Sequence, residues 1–331
     1  MKKRVLDLQD EKPLLDIAGY ARSGRMPTPA QRLHIQLTVH RAPEVMVKVS
    51  GGSRTLSGVE RHMAYIGREG ELGLEADVGG HLGGKGFERS LVREWNLDSA
   101  ALANHTIRSS SPRKPPKLVH NIIFSMPPGT SPKAVLKAVQ KLALNEWALQ
   151  HRYAMALHTD DDHPHVHVVL KAVSERGVRL NIRKATLRSW RAQFASNLRE
   201  LGVNANATER AVRGRMRDRK PDGVYRGEIR DQARRELYSP EGARLKNTRW
   251  EAQSAGLLQA ASTQQAVRDG WRQISTILIK SGDRGLSDQV SSFEAQMSDP
   301  FSRDRMVRRS SSDPHKRIRH QIASEDRDRS P

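Results

Sequence analysis

Apolar and polar residues alternate with a period of two in several short segments in the middle of the chain. Valines occupy the odd positions of residues 45–49, and similar segments run over residues 118–126, 152–158 and 165–173, with a shorter one that ends near Ile182. Such alternation is typical of strands with one buried face. The pattern therefore predicts a sheet of short strands that begins at residue 45.

Between these segments the apolar positions follow a helical spacing. Ser57 and Glu60 form a capping-box pattern that predicts a helix over residues 58–68. A serine–proline pair at 131–132 predicts the start of a second helix, and a longer helix carries its apolar face over residues 187–201. This order of elements predicts an α+β fold, in which helices pack on an antiparallel sheet.

Composition divides the chain into four segments. We expect a basic N-terminal extension, partly disordered, over residues 1–44, and a folded α+β domain over residues 45–205. A basic, mainly helical region is expected over residues 206–298, followed by a disordered tail rich in Arg and Ser over residues 299–331.

The net charge of the chain indicates which kind of molecule it binds. The 331 residues carry 57 Lys and Arg against 37 Asp and Glu, a net charge of +20, and include no cysteine. The lack of cysteine excludes a disulfide scaffold, a cysteine zinc site and a thiol nucleophile. The positive charge points to a polyanionic partner, with nucleic acid ahead of an anionic membrane surface. Because no apolar run is long enough to span a bilayer and no signal peptide is evident, we expect a cytoplasmic location without membrane insertion.

Three histidines flank the loop between two predicted strands. His158 ends one strand, while His165 and His167 lie two positions apart on the next and therefore share a face. Antiparallel pairing across the short loop would place His158 beside His165. Three imidazoles would then converge at the sheet surface as a divalent-metal site with open coordination positions. Asp160 is placed to accept the outer ring proton of a ligand histidine.

Parts of this pattern also have purely structural explanations. A single pair of histidines on a strand is a weak signal, and His163 is expected to be a loop residue and not a ligand. Asp161 and Asp162 suit a solvated turn equally well. Three histidines at this spacing, with an acidic residue between them in a basic protein, nevertheless favour metal binding.

The motif H-x-D-x4-H-x-H, which runs into Val168-Val169-Leu170, resembles the third motif of conjugative relaxases. These are the mobilisation nucleases of the HUH endonuclease superfamily. The likeness is greatest to the P-type mobilisation class, which includes the T-DNA border nucleases. Residues 121–129 resemble the second motif region, residues 180–183 are also similar, and the likeness extends over about residues 45–215.

The resemblance implies an activity and a nucleophile. Relaxases attack DNA with a tyrosine of their first motif, and Tyr65 is the matching residue. The implied enzyme is a metal-dependent endonuclease that nicks single-stranded DNA at an origin of transfer through a 5′-phosphotyrosine, which initiates conjugation or plasmid mobilisation. Tyr65 and Asp160 would be catalytic, and the three histidines would hold Mg²⁺ or Mn²⁺. One departure is that residues 125–132 lack the acidic residue that many relatives carry near the second motif.

Candidate DNA contacts lie around these motifs and beyond them. They are Ser125, Arg68, Arg183 and an arginine strip that includes Arg213, Arg215 and Arg217. A buried strand end explains Ser125 equally well, and a solvated linker explains the strip equally well. The resemblance also implies relaxosome accessory proteins and a type IV secretion coupling protein as partners, with export alongside the transferred strand.

Other functions remain open at this point. A replication initiator of the same superfamily would use the same chemistry at another origin. A non-catalytic DNA-binding accessory protein of a relaxosome would carry its histidines for structure alone. A metal hydrolase that acts on small substrates is also conceivable, but the net charge of +20 disfavours it. A covalent protein–DNA adduct separates the two nucleases from the binding protein and the hydrolase.

Overall fold

The computed structural model describes residues 25–77, 81–84, 86–97, 115–214 and 262–297. Its elements in chain order are α1 (Pro29–Val39), β1 (Met46–Gly51), α2 (Leu56–Ile66), a 3₁₀ turn (Arg68–Gly70), β2 (Leu74–Ala76), β3 (His81–Leu82), α3 (Phe87–Glu94), β4 (Val119–Ser125), α4 (Pro132–Glu146), β5 (Tyr153–His158), β6 (His165–Lys171), α5 (Lys184–Glu200), α6 (262–280) and α7 (Arg284–Ala295). They form two compact units, of which His40–Ala207 contains the whole sheet.

The sheet is antiparallel throughout. Its six strands lie in the order β1-β4-β6-β5-β2-β3. At one end of the central strands, the register aligns Ser125 of β4 with His165 of β6, and His165 with His158 of β5. The α+β fold with helices packed on an antiparallel sheet, predicted from the sequence, is confirmed.

One face of the sheet packs against α4 and α5. Alternate residues of the strands, among them Phe124 and Val168, point into a fully buried cluster on this face. Phe124 meets Phe194 of α5 edge to face, with ring centroids 5.4 Å apart, and Trp147 meets Trp190 in the same way at 5.3 Å. Such aromatic pairs stabilise a core beyond the apolar area that they bury.

The opposite face is covered in part by α2 and α3. Val59, Met63 and Ile66 of α2 pack here against strand residues that include Ala154 and Ala156. The two alanines leave room for the helix to lie close to the sheet. His158, His165 and His167 belong to this same face, because they alternate with the core residues of the first face.

Helix α2 begins earlier than the sequence pattern predicts. Its N-cap is Thr55, whose hydroxyl accepts a hydrogen bond from the backbone N–H of Gly58 at 3.3 Å. The predicted capping box of Ser57 and Glu60 is therefore wrong, since Ser57 lies inside the first turn. Two hydroxyl residues at neighbouring positions satisfy the same N-cap preference, and only the chain direction out of β1 decides between them.

The region around residues 174–183 also differs from its prediction. No continuous strand ends near Ile182; residues Val173 and Arg179 form a single antiparallel bridge. Conversely, β2, β3 and α3 were not predicted, since their apolar periodicity is too short to detect.

The second compact unit combines α1, α6 and α7. Ile35 of α1 is fully buried in a cluster with Trp271, Leu278 and Val290. The Trp271 indole donates a hydrogen bond to the carbonyl of Val212 at 2.8 Å. Residues 29–39 thus form a helix inside the stretch where we expected an extension, because tertiary contacts stabilise a segment of weak periodicity. In the part of the chain that the structure describes, no helix is long and apolar enough to cross a membrane.

Candidate active site

The β5–β6 hairpin brings the three motif histidines together. His158 and His165 are direct cross-strand partners, and His167 lies two positions further along β6 on the same face. One ring nitrogen from each histidine lies within 4.8 Å of the corresponding nitrogens of the other two. The three ring centroids are separated by 4.6–5.3 Å. We call these residues the three-histidine cluster.

Backbone carbonyls orient two of the rings. Nε2 of His158 lies 2.8 Å from the carbonyl oxygen of Ile66, and Nδ1 of His165 lies 2.9 Å from the carbonyl oxygen of His163. A carbonyl only accepts hydrogen bonds, so each of these nitrogens must carry the proton. The other nitrogen of each ring, Nδ1 of His158 and Nε2 of His165, then has a free lone pair. This is the usual outer-shell arrangement of metal-binding histidines.

The third ring is held neutral by its surroundings. Burial, followed by the neighbouring His158 and His165, lowers the pKa of His167 to about 4. A neutral imidazole is the form that binds a metal ion. Three imidazole ligands fit a divalent transition-metal ion with coordination positions left for substrate.

The cluster is less exposed than the sequence suggested. The sequence predicted a site on the sheet surface, but this is wrong for two of the histidines. The side chains of His158 and His167 are only 5% and 7% exposed. Helix α2 lies over this part of the sheet and supplies the Ile66 carbonyl to His158. The site therefore lies where α2 meets the sheet, with two of its three histidines buried.

Tyr65 stands on α2 beside the cluster. Its side chain is 63% exposed, and its ring centroid lies 6.3 Å from that of His167, with the planes nearly perpendicular. Because Val59, Met63 and Ile66 bury the inner face of α2, position 65 falls on the side of the helix that faces solvent. The structure thus places an exposed phenol next to three converging imidazoles.

Asp160 occupies a different position from the one predicted. Its carboxylate forms an ion pair with Arg68 at 2.7 Å, and it lies 3.9 Å from Nδ1 of His158, beyond hydrogen-bonding distance. Its own backbone N–H, together with Arg68, lowers the pKa of Asp160. The carbonyl of Ile66, and not Asp160, accepts the ring proton of His158. Arg68 reaches Asp160 from the tight turn that follows α2, where its φ is 47°.

The other predicted DNA contacts are spread more widely. Ser125 is buried beside His165 at the end of β4, with its hydroxyl 3.5 Å from the Met126 carbonyl. Arg183 caps the start of α5, the helix on the opposite face of the sheet. Arg213 belongs to the second compact unit, and Arg215 and Arg217 lie outside the described residues, as does the predicted tail over 299–331.

Two residues near the cluster were not predicted from the sequence to belong to the site. His62 lies one helical turn before Tyr65, and the two rings stack with centroids 6.0 Å apart; burial lowers the pKa of His62. Lys48 of β1 shares a cross-strand row with Ile123 and His167, and its charge contributes to the lowered pKa of His167. The i, i+3 spacing of His62 and Tyr65 and the alternation of β1 were both readable signals.

Comparison with known proteins shows which family part of this chain resembles. Residues 83–203 match the family model described as relaxase, MobA/VirD2-like, nuclease domain. This part of the chain is therefore similar to a relaxase nuclease domain. The resemblance that the histidine motif indicated is thereby confirmed. The matched segment contains the three-histidine cluster, whereas Tyr65 precedes it.

Curated relatives of the chain point the same way. The chain is 28% identical over 234 residues to the T-DNA border endonuclease VirD2 of Agrobacterium fabrum, an alignment that covers 60% of this chain and 49% of the relative. It is 29% identical to VirD2 of Rhizobium radiobacter, over 52% of this chain and 43% of the relative. VirD2 of Rhizobium rhizogenes is 28% identical, over 52% of this chain and 42% of that protein. The chain thus spans less than half the length of these relatives.

One solved structure is also similar to part of this chain. It is described as "Molecular Basis of Vancomycin Resistance Transfer in Staphylococcus aureus", is 16% identical, and covers 31% of this chain and 63% of its own with a TM-score of 0.24. This likeness is too low to bear on the site.

Proposed function

We propose that this chain is a relaxase that nicks single-stranded DNA at an origin of transfer by transesterification, with Tyr65 as the nucleophile and a divalent ion on the three-histidine cluster. The main observation behind the proposal is that the three-histidine cluster and the exposed Tyr65 side chain lie side by side. Three histidine nitrogens lie within 4.8 Å of one another, and the exposed Tyr65 ring lies 6.3 Å from His167. The charge of +20 favours a polyanionic substrate.

The reaction needs one bond to form as another breaks. The Tyr65 hydroxyl oxygen attacks the scissile phosphorus, and the bond between phosphorus and the 3′ oxygen breaks. The phenol loses its proton to solvent, to which this side chain is open, and the departing 3′ oxygen takes up a proton. The products are a 5′-phosphotyrosine and a free 3′-hydroxyl. Because the phosphodiester bond is conserved in the adduct, the reverse reaction can rejoin the strand.

His158, His165 and His167 would hold the metal ion. The chemistry supplied there by a bound divalent cation would be the offset of negative charge that develops on the phosphate. Magnesium prefers oxygen ligands, whereas imidazole suits transition metals. Of the two ions expected from the sequence, Mn²⁺ therefore fits this donor set better than Mg²⁺.

Cationic side chains around the cluster would bind the DNA backbone. Lys48 lies on the exposed face of β1 in the row of His167, and Arg68 lies one turn beyond Tyr65. A phosphate near Arg68 would compete with Asp160 for its guanidinium, since both partners are about half exposed and such an ion pair is weak. Asp160 would therefore influence how Arg68 contacts the phosphate. Ser125 would line the floor of the site beside His165.

Further partners follow from the relaxase class. We include relaxosome accessory proteins, a type IV secretion coupling protein and a bacterial cytoplasmic location in the proposal, with export alongside the DNA strand. The T-DNA border activity in the names of the relatives belongs to those proteins.

The polarity of the adduct provides the test. The chain is incubated with Mn²⁺ and random-sequence single-stranded oligonucleotides that carry a label at either the 3′ or the 5′ end. A 5′-phosphotyrosine retains the downstream fragment, so only the 3′ label should migrate with the denatured protein. Tyr65→Phe should bind the same oligonucleotides and give no adduct. His165→Ala with His167→Ala should also give none, and should lose Mn²⁺ binding measured by calorimetry.

Other outcomes would select other functions. An adduct that persists in Tyr65→Phe would exclude Tyr65 as the nucleophile. Tight DNA binding without an adduct at any oligonucleotide would favour the accessory-protein alternative. Full cleavage by the double histidine variant would show that the cluster has no part in the reaction.

A further inference from the structure

His62 is the one aromatic side chain of α2 that touches Tyr65 from the same helix. The two residues are three positions apart, so their side chains project from the same side of α2. Their rings are separated by 6.0 Å with an angle of 23° between the planes, an offset stack. The His62 ring also lies 6.5 Å from His167, edge-on. Tyr65 is thus bracketed by a face contact with His62 and an edge contact with His167.

One polar atom of His62 forms no hydrogen bond with the described residues. Its Nε2 atom is buried, and no donor or acceptor among the described residues reaches it. A buried polar atom without a partner costs stability, and an apolar residue of similar size would avoid that cost. Residues that break a folding rule in this way are found most often at functional sites.

We propose that His62 is a positioning residue, which holds the ring of Tyr65 against the three-histidine cluster by stacking. This inference rests on the proposed function, because it assigns His62 a part in presenting the nucleophile. Tyr65 is 63% exposed, so the fold itself encloses little of its ring. The face of His62 is the surface that restricts its rotation toward solvent.

The size of the effect follows from the strength of an aromatic pair. Such pairs contribute enough to change a population by roughly two- to tenfold. Removing the His62 ring should therefore lower the rate of adduct formation by about two- to tenfold, while the affinity for single-stranded DNA stays the same. A change of binding would indicate a direct DNA contact instead.

The experiment compares His62→Ala with His62→Phe in the full chain. His62→Phe keeps a stacking ring and removes both nitrogens. Uniform labelling with 3-fluorotyrosine gives one ¹⁹F resonance for each of the five tyrosines, and the Tyr65 signal is identified by its loss in Tyr65→Phe. We expect the Tyr65 resonance to move toward its urea-unfolded position in His62→Ala and to stay near the wild-type position in His62→Phe. Single-turnover adduct formation should follow the same order.

Controls separate this role from a structural one. Ser57→Ala changes an exposed residue of the same helix and should leave the Tyr65 resonance unmoved. If His62→Ala does not fold, His62→Leu replaces it, since leucine fills the space without an aromatic face. The spectrum needs no DNA, so it tests the stacking even if the wild-type chain forms no adduct.

Two further results would overturn the inference. The first is a Tyr65 resonance that stays unchanged in His62→Ala or His62→Leu. The second is a His62→Phe variant as slow as His62→Ala, which would assign the contribution to the imidazole nitrogens and not to stacking.

Discussion

The half-buried histidine of β4, His120, is expected to make the sheet unit lose stability in mild acid. Burial, with smaller contributions from the charges of Lys117, Arg179 and His151, lowers the pKa of His120 to about 4. In the unfolded chain a histidine titrates near its ordinary pKa of about 6.5. Between these two values the unfolded state binds more protons than the folded state, so stability falls as the pH falls.

The magnitude follows from the two pKa values. A histidine with a pKa of about 4 when folded and about 6.5 when unfolded costs the folded state on the order of 1 kcal/mol at pH 5.5 and on the order of 2–3 kcal/mol at pH 4.5. At pH 7.5 the cost is close to zero, because both states are neutral. His120→Gln, which cannot titrate, should therefore gain stability relative to wild type by these amounts as the pH is lowered.

Amide hydrogen exchange measures this gain in the sheet unit alone. Peptides from β4 and β6 report the free energy of opening the core strands once intrinsic rates are corrected for pH. The comparison is made with EDTA present, and the value at pH 7.5 serves as the internal reference. If the difference between His120→Gln and wild type is the same at pH 7.5 and pH 4.5, then His120 takes up its proton without unfolding and the reasoning from burial fails.

The remaining predictions concern the cap of α2, the proposed DNA contact at β1 and the core. Thr55→Ala should lower the free energy of unfolding by about 1 kcal/mol in urea titrations while Ser57→Ala changes it little, and equal losses would contradict the cap seen here. Lys48→Gln should reduce by about 0.7 the slope of log K against log salt for single-stranded DNA measured by anisotropy; an unaltered slope would mean that Lys48 touches no phosphate. Phe194→Ala should cost about 3–5 kcal/mol in the same urea assay, because the side chain is fully buried, and a loss below about 1 kcal/mol would mean that the cavity collapses.

Much of the candidate site was readable in the sequence because it depends on local geometry. Strand alternation puts His165 and His167 on one face whatever surrounds them. A short hairpin leaves few registers by which His158 could pair, and the observed one sets it opposite His165. The resemblance to relaxases followed from the same short motif. Local periodicity also carried the α+β order of strands and helices, since each element was long enough to show its period.

The remainder needed the tertiary structure, because it depends on residues far apart in the chain. The proton on His158 is fixed by the carbonyl of Ile66, which lies 92 positions earlier in the chain. The sequence around the histidine motif does not predict that contact. The pairing of Asp160 with Arg68, in place of a histidine, depends on how α2 crosses the sheet. The burial of Ile35 in a second unit likewise depends on partners more than 170 positions away, since α1 is too short and too weakly amphipathic to be stable without them. Local spacing thus determined which side chains share a face, and long-range packing decided their protonation, exposure and neighbours.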